Sequence, residues 1–322
     1  MYTTWLRVFA AIAAFAFSAG MAVAQTPVRI LSGFPPGGVV DIVARLLAER
    51  MTEALGRPVI VETKTGATGQ IAAEALKAAA PDGNTLLVTP DSNISAYPHT
   101  VKRPAYDPLK DFTAIAHTGN YDLGFAVANN VPVTDLKQLI AWTNANPQKA
   151  NYSTAGAGSI LHFFGLSVAD TTGAKLTHIP YRGAGPAIAD LTAGQVSACI
   201  VPLGLLIPHA KAGKIKLIAT SGAKRAPTAP DVPTFKELGY PTLEAPGWFG
   251  LFGPAGMRPE VVNRYNEVIV QAMRTAAMRE RMQSLDLEIR ELSPAEFGAM
   301  VAANHERWGP IIRKSGFTAD SQ

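Results

Sequence analysis

Three kinds of residue in this 322-residue chain could do chemistry. They are hydroxyls and lysines set in nucleophile-like strings, histidines, and glycine-rich loops that end strands and open helices. The first kind fails on order. An S-x-x-K string (Ser221, Lys224) and a K-T-G string (Lys64–Gly66) occur in the reverse of the order that penicillin-recognising enzymes use. No Ser-Asp-Asn lies between them. "GAGSIL" ends in Leu161 where a dinucleotide fingerprint needs glycine, "AGK" lacks the upstream glycine of a phosphate-binding loop, and no G-x-S-x-G is present. His99, His117, His162, His178, His209 and His305 show no metal-ligand spacing. The single cysteine, Cys199, excludes an intrachain disulfide and lies in the apolar "VSACIV", where it reads as a packing residue. No catalytic residue, metal or cofactor is expected.

The glycine-rich loops remain. "GFPPGGVVDIVARLLAERM" (Gly33–Met51) sets Pro-Pro-Gly-Gly ahead of an amphipathic helix. Glycine lets backbone approach a guest closely, and a helix start offers free N–H groups with about half a positive charge, so an anion is the natural guest. Phe34, Pro36, Gly37, Gly38 and Val39 are the candidates there, against the alternative of a plain tight turn. Asp41, in the first helical turn, would repel an anion and reads as a helix-start residue. Thr68 in "TGATG" and Ser92 in "TPDSN" could donate hydroxyls, or Ser92 could face solvent. "TAGAGS" (Thr154–Ser159) offers the N–H groups of Gly158 and Ser159, with the Ser159 hydroxyl spent as an N-cap. His162 follows in the first turn, where it either meets ligand or packs beside Phe163 and Phe164. Tyr181 and Arg182 head another such loop; Arg182 either pairs bidentately with a carboxylate or is a solvated charge.

Strands alternating with helices position these loops. "VRIL" (Val28–Leu31), Pro58–Glu62 and Thr85–Thr89 read as strands. Asp41–Leu55 reads as a helix with Ile42, Val43, Leu46, Leu47 and Met51 on one face and Gly56 as its stop. Later strands are "LGFAVAN", "VSACIV", "IKLIAT" and Trp248–Gly256. Later helices include one with Thr134 as its N-cap, one with Pro186 in its first turn, and two covering Pro259–Leu285 and Pro294–Arg313. The alternation predicts an α/β fold with largely parallel sheets, whose ligands bind beyond the carboxyl ends of strands.

Arg7, the apolar run Val8–Val23 and the small residues Ala22 and Ala24 describe a secretory signal peptide over residues 1–24, cut after Ala24. The run is short for a spanning helix. The net charge of +4 is spread without a basic run, so no nucleic-acid partner is expected.

Taken in order, "FPPGGVVDIVARLLAERMTEALGRPVIVE", "GATGQIAAEALKAAAPDGNTLLV", "YDPLKDFTAIA", "NYSTAGAGSILHF", "LTHIPYRGAGPAIADLTAGQV", "IPHAKAGKIKLIATSGAKRAPTAPDVPTFKELGYP" and "WFGLFGPAGMRPEVV" resemble the periplasmic receptors of tripartite tricarboxylate transporters, the Bug family. The resemblance implies a two-domain α/β periplasmic-binding-protein fold of type II, its ligand cleft lying between lobes joined by two crossover strands. Domain 1 would be residues 25–124 plus 250–322, and domain 2 residues 125–249. It implies a periplasmic monomer that captures a small carboxylate without catalysis and delivers it to membrane permease subunits. Val201 and Pro202 stand where many members carry a polar Asp-Asn pair, which favours a mono- or dicarboxylate with an aliphatic or aromatic body. An exported sensory module or an α/β hydrolase is the alternative function.

Overall fold

The computed structural model describes residues 26–319; the expected signal peptide, residues 1–24, lies outside the described residues. Strands are β1 (Val28–Ser32), β2 (Val59–Thr63), β3 (Thr85–Pro90), β4 (Phe112–Tyr121), β5 (Leu123–Ala128), β6 (Asn151–Thr154), β7 (Thr177–Pro180), β8 (Ala198–Pro202), β9 (Ile215–Thr220), β10 (Gly247–Pro254) and β11 (Leu287–Glu288). Helices are α1 (Val39–Leu55), α2 (Gln70–Lys77), α3 (Pro108–Asp111), α4 (Leu136–Ala145), α5 (Ile160–Thr172), α6 (Ala184–Thr192), α7 (Leu203–Lys211), α8 (Pro259–Arg274), α9 (Ala276–Ser284) and α10 (Pro294–Ser315). No helix of the described residues is long and apolar enough to cross a membrane.

Two sheets organise these elements, one per lobe. The first runs β11-β4-β10-β3-β1-β2 and the second β7-β6-β8-β5-β9. Only part of each is parallel. β1 pairs in parallel with β2 and β3, but β10 lies antiparallel to both β3 and β4. β6, β7 and β8 are parallel, while β5 runs against β8 and β9. The expectation of largely parallel sheets is corrected to mixed sheets. The reversed strands β5 and β10 carry the chain between lobes, and β11, antiparallel to β4, is a short edge strand.

The first crossing is abrupt. β4 ends in the first sheet and β5 begins in the second, with Asp122 alone between them. The return crossing enters at Gly247, which pairs with Tyr121, so the two crossovers lie side by side. Sheet membership places Leu123 and Gly124 in the second sheet and Gly247–Phe249 in the first.

Local sequence explains the elements. In α1 the residues Val39, Val40, Val43, Ala44, Leu47, Ala48 and Met51 turn inward, and Gly56 closes the helix at φ 64°. β3 is buried throughout, as a central strand flanked on both edges must be. In the second lobe Tyr152, Phe163 and Phe164 are fully enclosed, each contributing about 2 kcal/mol by its burial. Asp135, not Thr134, caps α4, its carboxylate accepting from the Gln138 N–H at 2.8 Å. The expected C-terminal helix from Pro259 breaks at Thr275, which caps α9. α10 opens on a capping box between Ser293 and Glu296 and packs across the first sheet.

Candidate functional site

A cavity of about 860 Å³ opens between the lobes. From the first lobe it is walled by Phe34, Pro36, Gly37, Gly38 and Val39, with Thr68 and Ser92 beside them. From the second it is walled by Ser159, Arg182 and one face each of α6 and α7, with Tyr121 and Phe249 contributed by the crossover strands.

The start of α1 is built for this position. Gly37 holds φ at 83°, in the left-handed region that a side chain disfavours, and so turns the chain out of the Pro-Pro stretch into the helix. Gly38 is the N-cap and supplies no side-chain acceptor, leaving the first helical N–H groups uncapped by side chains. Asp41 is buried and turned away. Its carboxylate accepts from the Gly37 N–H and from Arg45, both at 3.0 Å. Burial pushes the Asp41 carboxyl up, but the Arg45 guanidinium and the Gly37 N–H outweigh that and hold it below the ordinary value. The Gly37 amide is therefore spent inside the loop, and the donors left at this end are those of the helix start itself.

The second lobe brings the "YRGAGP" turn to the cavity as well, beside Ser159 of the expected "TAGAGS" loop. Gly183 is the N-cap of α6 at φ 108° and brings no side-chain cap, so the N–H groups of Ala184 and Gly185 head the helix uncapped by side chains. Arg182 stands beside them, exposed in the cavity wall, with no hydrogen-bond or ion-pair partner among the described residues. Among the described residues, no aspartate or glutamate lines the cavity.

The start of α5 does something else. Its first N–H, on Ile160, donates to the Ser92 hydroxyl of the first lobe at 3.1 Å. The Ser159 hydroxyl donates to the Gly156 carbonyl at 2.8 Å and caps the His162 N–H. Gly156 abuts the Thr68 side chain. Thr68 itself sits at φ 54°, an uncommon conformation for a β-branched residue, fixed in part by the Asn93 amide donating to its carbonyl at 3.0 Å. This loop joins the lobes.

Of the twelve residues expected at the ligand, nine line the cavity and three do not. Gly158 faces a small adjoining void beside Thr100, and its N–H donates to the His162 Nδ1 at 3.3 Å. The His162 ring is buried, stacked on His178 with centroids 3.9 Å apart and met edge-on by Phe317. Burial pushes its pKa down to about 4, and that of His178 to about 3. The Tyr181 hydroxyl donates to Asp190 at 2.5 Å, outside the cavity wall. The Gly158 N–H and the Tyr181 hydroxyl thus have protein partners, and the His162 Nδ1 is taken by the Gly158 N–H.

Sequence reasoning missed Tyr121, Phe249, Pro186, Ile188, Leu205 and His209. The apolar ones carry no chemical signature. The helical spacing Gly185, Ile188, Ala189, Thr192 could have exposed a cleft-facing stripe on α6.

A two-lobed α/β molecule with an acid-free, arginine-bearing cavity between lobes that share two crossovers defines a solute-binding receptor. The chain belongs to the tripartite tricarboxylate transporter receptor family, whose model matches residues 43–317. The periplasmic binding protein BugD is similar to it over 91% of this chain and 99% of that one, at 31% identity and a TM-score of 0.84. An R. palustris protein solved with adipate has 28% identity and a TM-score of 0.85 over 91% of this chain and 99% of its own. MatC of Rhodopseudomonas palustris with bound malate has 29% identity and a TM-score of 0.83 over 89% and 99%.

Proposed function

We propose that this receptor works in the periplasm, captures a small mono- or dicarboxylate with an aliphatic or aromatic body, and hands it without chemical change to the membrane subunits of a tripartite transporter. One observation carries the reading. The cavity combines an unpaired Arg182 and two helix starts without side-chain caps with an apolar remainder and no acidic side chain. A carboxylate satisfies the donors and an apolar body satisfies the walls. The relatives solved with adipate and malate support the carboxylate class. Pro202 in the wall, with Val201 buried behind it, favours a body like that of adipate over one dense in polar groups. Transport without chemistry is supported by the two cavity serines, whose hydroxyls engage backbone groups rather than a histidine.

Calorimetric titration with adipate, terephthalate, nicotinate, malate, aspartate and citrate tests this. The expected result is binding of at least one of the first three. Arg182→Ala should weaken that binding roughly 10- to 100-fold, the range for a charge-assisted bond, with an unchanged melting temperature. Binding of aspartate or citrate alone would sink the ligand class.

A further inference from the structure

The cavity is a trough with two ends. β6, β7, β8 and β9 all point the same way, so α6, which links β7 to β8, and α7, which links β8 to β9, both start at the carboxyl edge of the sheet and run away from it. Both helices line the cavity along their length rather than only at their starts. α6 does so through Gly185, Ile188, Ala189 and Thr192, and α7 through Leu205 and His209. These are helical face spacings, so the wall is continuous. From Ala184 to Thr192 it extends roughly 12 Å at the rise of an α-helix. Arg182 marks its near end. Ile188, Ala189 and Leu205 make the middle apolar, and His209, in the last turn of α7, marks the far end.

His209 lines the cavity but its imidazole has no hydrogen-bond partner among the described residues. Either tautomer carries one N–H, so the ring can donate to an acceptor whatever its protonation. The last turns of α6 and α7 are closed on themselves. Gly194 donates to the Leu191 carbonyl and Lys214 to that of His209, so neither of those carbonyls is left for a guest. The dipole at the end of α7 opposes an anion beside His209, and Lys211 in the same turn offsets it. Donors therefore stand at both ends of an apolar trough.

We infer that His209 forms a distal subsite that takes the second carboxylate of an elongated dicarboxylate, whose first carboxylate sits at Arg182 and the starts of α1 and α6. This rests on the carboxylate reading above and sharpens it. The receptor measures ligand length along α6, and a monocarboxylate of equal length reaches the far end without an acceptor for His209. The length of that wall favours a chain longer than adipate.

The experiment is calorimetric titration of the whole protein with adipate, suberate and sebacate, each against the monocarboxylate of equal length, namely hexanoate, octanoate and decanoate. The same series is run on His209→Ala and His209→Gln. Wild type should prefer each longer dicarboxylate over its monocarboxylate about 10-fold or more, with suberate or sebacate ahead of adipate. His209→Ala should remove that preference while leaving monocarboxylate affinity as it was, and His209→Gln, which keeps a donor, should restore part of it. Equal affinity for mono- and dicarboxylates, or equal losses for both in His209→Ala, would overturn the distal subsite while the carboxylate reading stands. Absence of binding by every member of the series would overturn the distal subsite, and if terephthalate and nicotinate also failed to bind, the carboxylate reading with it.

Discussion

Asp91 is fully buried at the end of β3, directly behind the cleft residues Pro90 and Ser92. No cation faces it. Its titratable neighbour is Tyr121, whose hydroxyl lies 3.2 Å from one carboxylate oxygen, and the other oxygen has no partner. Burial pushes its pKa up to about 7, against the opposing pull of Tyr121 and the N–H groups of Trp248 and Ser92. A folded-state value raised above the unfolded one means that this group's contribution to stability is complete below about pH 4. It is lost as pH rises through about 7, with an upper bound on the order of 4 kcal/mol. Asp122 is pushed up to about 7 by burial, Asp286 and Glu288, and adds to the same slope. His162 and His178 oppose it, since their lowered values contribute stability above about 6.5 that is lost as pH falls. The wild-type profile thus mixes opposing slopes, and Asp91→Asn should unmask one of them. In urea unfolding from pH 4 to 8, the variant's stability relative to wild type should climb across the window and level off at the top. A pH-independent difference would show that Asp91 does not carry this titration. Of the candidates whose type already names their chemistry, Arg182, Gly37 and Gly38 line the cavity. His162 and Tyr181 have equally suggestive types, but burial and a partner assigned them to packing, and partners are settled only by the fold.

At the scale of elements, the start of α5 was legible as strand, glycine loop and N-capped helix, and Ser159 does cap it. Its use was not legible. An exposed helix start and one closed by the opposite lobe have the same local sequence, and the difference is the Ser92 hydroxyl arriving from a loop 68 positions away. β4 was missed as a strand for a related reason. "FTAIAHTGNY" mixes His117, Thr118 and Asn120 into a run that is buried only because β10 and β11 flank it. The consequence for α5 is testable. Ser92→Ala leaves the Ile160 N–H buried without an acceptor, which costs about 1–3 kcal/mol. Chemical denaturation should show that loss, while Ser92→Thr, which keeps the oxygen, should recover most of it. An Ala variant as stable as wild type would mean that water replaces the hydroxyl and that this contact does not hold the lobes together.

Across the whole molecule the lobes share more than two crossovers. α10 belongs to the first lobe, yet just beyond its end Phe317 meets the rings of His162 and Phe163 in the second lobe at 5.1 and 5.6 Å. Lys314 reaches Asp170 on α5, and Ala319 donates to the Thr100 carbonyl at 2.7 Å, which anchors the segment to the first lobe. The Lys314–Asp170 pair is exposed on both sides and contributes little. The aromatic contact is the substantial one, because it buries apolar surface across the boundary. It lies beside the Ser92–Ile160 and Thr68–Gly156 contacts, since Gly158 packs against Phe317. Together these form a band of non-covalent contacts that the lobes must hold in order to stay together around the cavity. A ligand touching both lobes can shift the open–closed balance only by its extra contacts in the closed form, and a receptor that closes less readily binds more weakly in proportion to its closed fraction. Phe317→Ala should therefore expand the ligand-free protein in small-angle scattering and weaken binding of whichever carboxylate the titration panel identifies, with that carboxylate at saturation returning the radius to the wild-type closed value. If the variant scattered and bound as wild type does, closure would rest on the crossovers and the Ser92–Ile160 and Thr68–Gly156 contacts, and the C-terminal segment would have no part in it.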